Sequence, residues 1–181
     1  MSLLIVEGPR KSGKTYLVNN QKIHPVFKFD FNDHFSKWKL GKQSEITHWF
    51  GLGKEVMLHE LYQKSVIPNN KTLVTDRGIL TNSVWGIFQG RTTDNQARKD
   101  LKNFRDLGLF KNVTFIVVQG NWKKERKKDV WDEDDTRAEE EGYLFKSFSL
   151  LLQDLGVDVI FFPNEFDEDS LERFNLLLNK Y

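Results

Sequence analysis

The sequence contains no cysteine, no long apolar run and no marked excess of either charge. Without cysteine, the 181-residue chain can form no disulfide, no thiolate nucleophile and no cysteine-ligated metal site. No stretch approaches the roughly 20 apolar residues that a membrane-spanning helix needs, and the first residues lack the pattern of a secretion signal. We therefore expect a cytoplasmic protein with no membrane partner.

The charges nearly balance, with 27 lysines and arginines against 26 aspartates and glutamates. A net charge of +1 argues against a protein that coats nucleic acid over its whole surface, although a local basic groove is compatible with it. Hydrophobic residues make up 39% of the chain, as in an ordinary globular protein. The length suits a single domain over residues 1–181.

A phosphate-binding motif stands near the start of the chain. Residues 8–15 read GPRKSGKT, which matches the phosphate-loop pattern G-x-x-x-x-G-K-[ST]. An apolar run precedes the motif and a short helical pattern follows it, so a strand would lead into a turn whose backbone amides surround a phosphate. The motif predicts a nucleoside triphosphate site, with Lys14 on the terminal phosphates and the Thr15 hydroxyl on Mg²⁺. The predicted nucleotide-binding residues are Gly8, Lys11, Ser12, Gly13, Lys14 and Thr15.

Five short apolar segments, each rich in Val, Ile or Phe, indicate strands that are buried on both faces. They lie at 3–6, 26–31, 72–75, 113–118 and 157–162. Stretches with helical spacing separate them, which predicts an α/β fold with a parallel sheet and helices on both sides. Residues 32–53 show little periodicity, and we expect a loop and a short helix there, over the substrate side.

Residues 121–142 are dense in charge of both signs. Five basic residues between 123 and 128 precede an acidic run over 132–135. A solvated helix face and loop is one interpretation of this segment. A mobile lid is the other, because the segment follows the fourth strand at the sheet edge where ligands of such sheets bind.

A second polar element, Asp76-Arg77, directly follows the third predicted strand. An acidic residue at this edge can hold the coordination shell of Mg²⁺, so Thr15 and Asp76 are the predicted metal-binding residues. Arg77 can form a fork onto an anionic or sugar oxygen of a second substrate. A further interpretation, compatible with the first, is an aspartate that caps the next helix with an arginine on the surface beside it.

These elements together resemble the thymidylate kinase and deoxynucleoside kinase superfamily. The resemblance rests on Val6-Glu7-Gly8 leading into the phosphate loop and on DRGILT at 76–81, which resembles the D/E-R-x-x-x-S/T element of these enzymes. Further residues resemble the helix after that element and the arginine-bearing lid of nucleotide kinases; they are Val84, Trp85, Phe88, Gln89, 121–128 and 136–140. The resemblance implies a three-layer P-loop NTPase fold, with a five-stranded parallel sheet in the order 2-3-1-4-5 and a helical lid over about 121–142.

The resemblance also implies ATP and Mg²⁺ as the phosphate donor, a nucleoside or nucleotide as the acceptor, and a homodimer in many relatives. Carried over to this sequence, the catalytic residues would be Lys14, Asp76, Arg77, Arg126, Arg137 and Asp30, and the substrate-binding residues Arg10, Arg77, Thr81 and Trp85. Arg77 would grip the acceptor, and one of the two lid arginines would neutralise the transferring phosphoryl group. Thymidylate kinases carry an aspartate at the position of Arg10, and a phosphate suits an arginine there better than a sugar hydroxyl does.

Acidic residues also follow the second predicted strand. In deoxynucleoside kinases an acidic residue near this strand end takes the proton of the 5′-hydroxyl, and Asp30 or Asp33 stands in a similar place. The alternative is a turn built from Asn and Asp residues. If either aspartate is the base, the acceptor carries a free hydroxyl.

Three functions are compatible with these features. The favoured one is a kinase that moves the γ-phosphate of ATP to a nucleoside monophosphate or a deoxynucleoside. The second is a polynucleotide 5′-hydroxyl kinase or a DNA-base kinase, in which Arg10 and the lysines at 37, 39, 42 and 54 line a groove for a nucleic-acid strand. The third is a non-catalytic nucleotide-binding switch, which needs a hydrolysis-positioning residue and a partner surface that the sequence does not display.

Overall fold

A computed structural model of the chain describes residues 2–27, 45–64, 71–120, 135–167 and 169–181. The strands are β1 (Leu3–Glu7), β2 (Val26–Phe27), β3 (Leu73–Asp76), β4 (Val113–Gly120) and β5 (Asp158–Asn164). The helices are α1 (Lys14–Asn20), α2 (Glu45–Gln63), α3 (Ile79–Phe88), α4 (Asp94–Asp106), α5 (Asp135–Asp154) and α6 (Asp169–Leu178). The strands form one parallel sheet in the order β2-β3-β1-β4-β5, which confirms the predicted fold class and strand order.

Alternate side chains of the central strand β1 supply two separate cores. Leu3 and Ile5 pack in the larger one, together with residues of α2, α3, α4 and α5. Leu4 and Val6 pack in the smaller one, together with residues of α1 and α6. Because successive side chains of a strand point to opposite faces, this division places helices on both sides of the sheet. The predicted three layers follow from it.

The ends of the strands differ from the apolar pattern. β4 continues to Gly120, and β5 runs from Asp158 to Asn164, because ladder hydrogen bonds persist through polar and glycine residues that an apolar run does not include. Of the second predicted strand, residues 26 and 27 are strand, and the remainder lies outside the described ranges. None of the described helices combines the length and apolar character needed to span a membrane.

Residues 45–53 form the first half of the 19-residue helix α2. The expectation of a loop and short helix is therefore wrong for this part of the chain; the rest of 32–53 lies outside the described residues. The helix packs against α3 at three points. At each of them a glycine in one helix, or directly before it, faces a polar side chain of the other helix. The pairs are Gly51 with Asn82, Gly86 with His48, and Gly78 with Glu55. The glycines that interrupt the apolar pattern of the sequence therefore allow the two helices to pack closely.

Candidate nucleotide-binding site

The phosphate loop joins β1 to α1 and contains three residues with left-handed backbone angles. Gly8, Lys11 and Gly13 have φ values of 141°, 59° and 84°. Gly13 has to be glycine for a second reason, since a Cβ at this position would collide with the side-chain amide of Asn164. That amide, at the end of β5, donates a hydrogen bond of 2.8 Å to the carbonyl of Ser12. Asn164, at the end of the edge strand β5, therefore helps to fix the conformation of the phosphate loop.

Lys14, the first residue of α1, is buried inside this loop. Its Nζ donates a hydrogen bond of 2.9 Å to the carbonyl of Pro9. Burial, and then the positive charge of Arg77, lower the pKa of Lys14 to about 8, while the carboxylates of Asp76, Glu7 and Glu141 act in the opposite direction. Since burial disfavours the charged amine, an anion placed in the loop would stabilise its protonated form.

Thr15 and Asp76, the predicted metal-binding residues, lie in contact. The Thr15 hydroxyl donates a hydrogen bond of 2.7 Å to Asp76 Oδ2. The other carboxylate oxygen, Asp76 Oδ1, is buried and finds no hydrogen-bond partner among the described residues. Hydroxyl and carboxylate oxygens are the ligands that Mg²⁺ prefers. Because nearly all buried polar atoms in proteins have a partner, the lone Oδ1 indicates a position for a ligand. The arrangement fits Mg²⁺ held by these two residues, with nucleotide and water oxygens as further ligands.

Arg77 is exposed and takes an uncommon backbone conformation. Its φ of 76° lies in the left-handed region, and its backbone N–H donates a hydrogen bond of 2.9 Å to the carbonyl of Val6 in β1. The alternative in which Asp76 caps the following helix is not what the structure has. The residue before α3 is Gly78, which has no side chain that could cap the helix.

Glu7 takes the place of the missing cap, a role that sequence reasoning did not predict. This carboxylate is fully buried at the end of β1. It accepts hydrogen bonds from the backbone N–H of Leu80 at 3.0 Å and of Thr81 at 3.2 Å, and a short one from the Thr81 hydroxyl. Burial raises the pKa of Glu7 to about 6, although these hydrogen bonds and Lys14 lower it. The signal in the sequence was a single charged residue at the end of an otherwise apolar strand.

The Thr81 hydroxyl, predicted to bind substrate, is thus engaged with Glu7. A second buried carboxylate, that of Glu55 in α2, lies on the other side of Gly78 from Glu7. A Cβ at Gly78 would be 3.2 Å from Glu7 Oε1 and 3.5 Å from Glu55 Oε2. Burial raises the pKa of Glu55, and the nearby Glu7 charge acts in the same direction. The nearest atom to a Cβ at Gly78 would be Ile5 Cγ2 at 2.8 Å, so a side chain at this position would require Ile5 to shift.

Arg10 and Trp85, both predicted to bind substrate, contact each other. The guanidinium carbon of Arg10 lies 4.4 Å from the centre of the Trp85 ring. The Arg10 Nε–H donates a hydrogen bond of 3.3 Å to Glu141 Oε2, and the Arg10 backbone N–H donates one of 2.8 Å to Glu141 Oε1. Glu141, in α5, is a further residue that sequence reasoning missed. Its partner is 131 positions away, and no local pattern reports such a pair.

The remaining predicted residues have no described place in the site. Asp30, Asp33, Arg126 and the lysines at 37, 39 and 42 lie outside the described ranges. Arg137 belongs to the first turn of α5, and its side chain is not described. Of the predicted lid, 121–134 lies outside the described ranges and 135–142 forms the start of α5. The lysine at 54 lies beside a carboxylate of its own helix, with Nζ 3.9 Å from Glu55 Oε1.

No protein-family model matches this sequence, and neither does any curated protein. Solved structures do match it. Thymidylate kinase from Candida albicans aligns with a TM-score of 0.63 and 11% identity, over 99% of this chain and 92% of that one. Thymidylate kinase from Ehrlichia chaffeensis aligns with a TM-score of 0.58 and 13% identity, over 99% and 97% of the two chains.

A third match is the NadR protein in complex with NR, with a TM-score of 0.59 and 16% identity. It covers 98% of this chain but 49% of that one, so the present chain spans about half of the NadR length. Identities this low show similarity of fold alone. The fold of the P-loop nucleotide kinases, which the motifs of the sequence indicated, is therefore confirmed.

Proposed function

We propose that this chain is a P-loop kinase that transfers the γ-phosphate of ATP to a nucleoside monophosphate or a deoxynucleoside. The observation that carries the proposal is the contact between the Thr15 hydroxyl and Asp76, whose second oxygen is buried without a described partner. Thr15 is the last residue of the phosphate loop, and the preceding residue, Lys14, is buried. A polyphosphate with its magnesium ion would complement both features.

Phosphoryl transfer asks a protein mainly for positioning and for neutralisation of charge. Lys14 and the loop amides would hold the phosphates of the donor, and the exposed Arg77 at the adjacent strand end would hold the acceptor. When bound, Mg²⁺ neutralises charge on the phosphate oxygens of the donor. The thymidylate kinases share this fold, which supports a nucleotide acceptor by analogy.

The test is a panel of acceptors incubated with γ-labelled ATP and Mg²⁺. The panel contains nucleosides, nucleoside monophosphates, 5′-hydroxyl oligonucleotides and DNA with modified bases. We expect label in a nucleoside or nucleoside monophosphate. Label in an oligonucleotide or a DNA base would instead support a nucleic-acid kinase, and ATP hydrolysis with no labelled acceptor would support a nucleotide-dependent switch.

Lys14→Ala supplies the internal control for this panel. Without the buried ammonium, we expect transfer to every acceptor to fall by about 100-fold or more. Lys22→Ala is the matched variant, because Lys22 is exposed just beyond α1. Equal activity of the Lys14 and Lys22 variants would show that the loop does not hold the phosphate donor.

A further inference from the structure

Arg10 is held on two sides by residues from separate helices. The Trp85 ring of α3 covers one face of its guanidinium, and Glu141 of α5 binds its Nε edge and its backbone N–H. The Glu141 side chain is 3% exposed and the Arg10 side chain 30% exposed. The carboxylate is therefore fixed inside the protein, whereas part of the guanidinium reaches solvent.

Among the described residues, none occupies the Nη edge of this guanidinium. Glu141 engages the Nε–H, and the two Nη groups have no hydrogen-bond partner among the described residues. A guanidinium binds anions in its own plane, through parallel N–H donors that match two oxygens of a phosphate or a carboxylate. With its face stacked on Trp85 and its other edge on Glu141, Arg10 is ready to bind such a group with little further ordering.

The position of Arg10 in the phosphate loop favours a phosphate group as the anion that it binds. Arg10 is the third residue of the phosphate loop, four positions before Lys14. Glu141 also acts electrostatically on Lys14, so the carboxylate lies close to both cations. A tether between α5 and the loop needs only the backbone N–H of Arg10, which any residue at this position other than proline would supply. The charged side chain requires a separate explanation.

We propose that Glu141 and Trp85 position Arg10 as a receptor for a phosphate group of the acceptor, so that this chain prefers phosphorylated acceptors to neutral nucleosides. The proposal rests on the proposed function, because it concerns the acceptor of that phosphoryl transfer. Arg10 is the specificity-determining residue, and Glu141 acts through it as a positioning residue.

The experiment compares each nucleoside monophosphate with its own nucleoside, for the wild type and for Arg10→Gln, Glu141→Gln and the double variant. We expect Arg10→Gln to raise the KM for the monophosphate by about 10-fold to 100-fold, as for loss of a charged hydrogen-bonded pair, and to change the KM for the nucleoside by a much smaller factor. Glu141→Gln should raise the same KM by a smaller factor with little change in kcat. The double variant should be no worse than Arg10→Gln, because the two residues act as one unit.

Glu140→Gln is the matched control, since Glu140 is exposed and precedes Glu141 in the same helix. A merely structural role for Glu141 would lower kcat for every acceptor, or lower thermal stability without changing the preference between acceptors; either result overturns the proposal. Arg10→Lys gives a second variant that keeps the charge but removes the planar fork, and it should lose most of the preference for the monophosphate.

Titration calorimetry separates this proposal from the proposed function. Monophosphate binding that depends on Arg10, in a protein that transfers no phosphate, would support the receptor and refute the kinase. Transfer only to neutral nucleosides would support the kinase and refute the receptor. If the wild type binds no monophosphate at all, the receptor is refuted whatever its activity.

Discussion

The buried carboxylate Glu7 allows a quantitative test of how the site is supported. Its pKa is raised from 4.5 to about 6, so the folded protein disfavours the ionised form. A tenfold change in a proton-binding constant corresponds to about 1.4 kcal/mol, which makes the cost of ionised Glu7 about 2 kcal/mol at pH 7.5 and about 0.8 kcal/mol at pH 5. Because the folded-state pKa is the higher one, this contribution reduces stability as pH rises from about 4.5 through 6.

Glu7→Gln removes that titration and keeps one acceptor oxygen for the first turn of α3. We therefore expect the stability of Glu7→Gln relative to the wild type to improve by about 1 kcal/mol between pH 5 and pH 7.5. Loss of the Glu7 charge also lowers the pKa of Glu55, which makes ionised Glu55 less costly and adds to the improvement at pH 7.5. Glu7→Ala removes the acceptor altogether and leaves the buried N–H of Leu80 and the partly buried N–H of Thr81 without their partner, which should cost about 3 kcal/mol at pH 7.5.

Urea unfolding of the three proteins at the two pH values, followed by circular dichroism, measures these differences. The control is Glu140→Gln, which changes the same charge at an exposed position and should show no pH-dependent difference from the wild type. A Glu7→Gln variant whose relative stability did not change with pH would refute the account of Glu7 as a desolvated carboxylate. A Glu7→Ala variant as stable as Glu7→Gln would refute its role as the acceptor for α3.

Two further substitutions test the α2–α3 contact and the acceptor side. Gly51→Ala places a Cβ 2.5 Å from Asn82 Oδ1 and should lower the free energy of unfolding by about 1–3 kcal/mol. Gly53→Ala in the same helix is the control, because its Cβ meets nothing within 4 Å and the change should be neutral or stabilising. Thermal melts compare the two variants. Arg77→Gln should raise the acceptor KM about tenfold or more while the ATP dissociation constant stays unchanged. Arg105→Gln, on the exposed end of α4, is its control in the same kinetic assay, and equal KM values for the two variants would remove Arg77 from the acceptor site.

The parts of the fold that sequence could predict are those that local patterns encode. The phosphate loop is a contiguous motif, and the middle of each strand is a short apolar run, so both could be predicted without knowledge of their neighbours, whereas the polar strand ends could not. Thr15 and Asp76 were expected at one site, and they lie in contact because the carboxyl ends of adjacent parallel strands share one edge of the sheet. Whether they bind magnesium stays a prediction.

The parts that sequence did not predict depend on contacts between distant residues. The first half of α2 contains Gly51 and Gly53 and buries the polar residues Thr47 and His48, which hides the apolar periodicity of a helix. His48 is acceptable there because its Nε2 lies 3.3 Å from Asp100 Oδ2 on another helix. Partners of this kind lie tens of residues apart and leave no trace in a local window.

The strained backbone of Arg77 explains why so many polar groups are buried around it. A non-glycine residue at φ 76° carries a strain of about 1–3 kcal/mol and persists only where its surroundings determine its conformation. Here the Arg77 N–H is bound to β1, Gly78 is enclosed by Ile5 and two carboxylates, and Glu7 binds the next two N–H groups of α3. Loss of the Glu7 acceptor would leave the buried N–H of Leu80 without a partner, at a cost of about 1–3 kcal/mol, which is as large as the strain. The conformation that exposes Arg77 beside the phosphate loop therefore depends on Glu7, and loss of that carboxylate should raise the KM of the acceptor that Arg77 is proposed to bind, measured in the same kinetic assay as for Arg77→Gln.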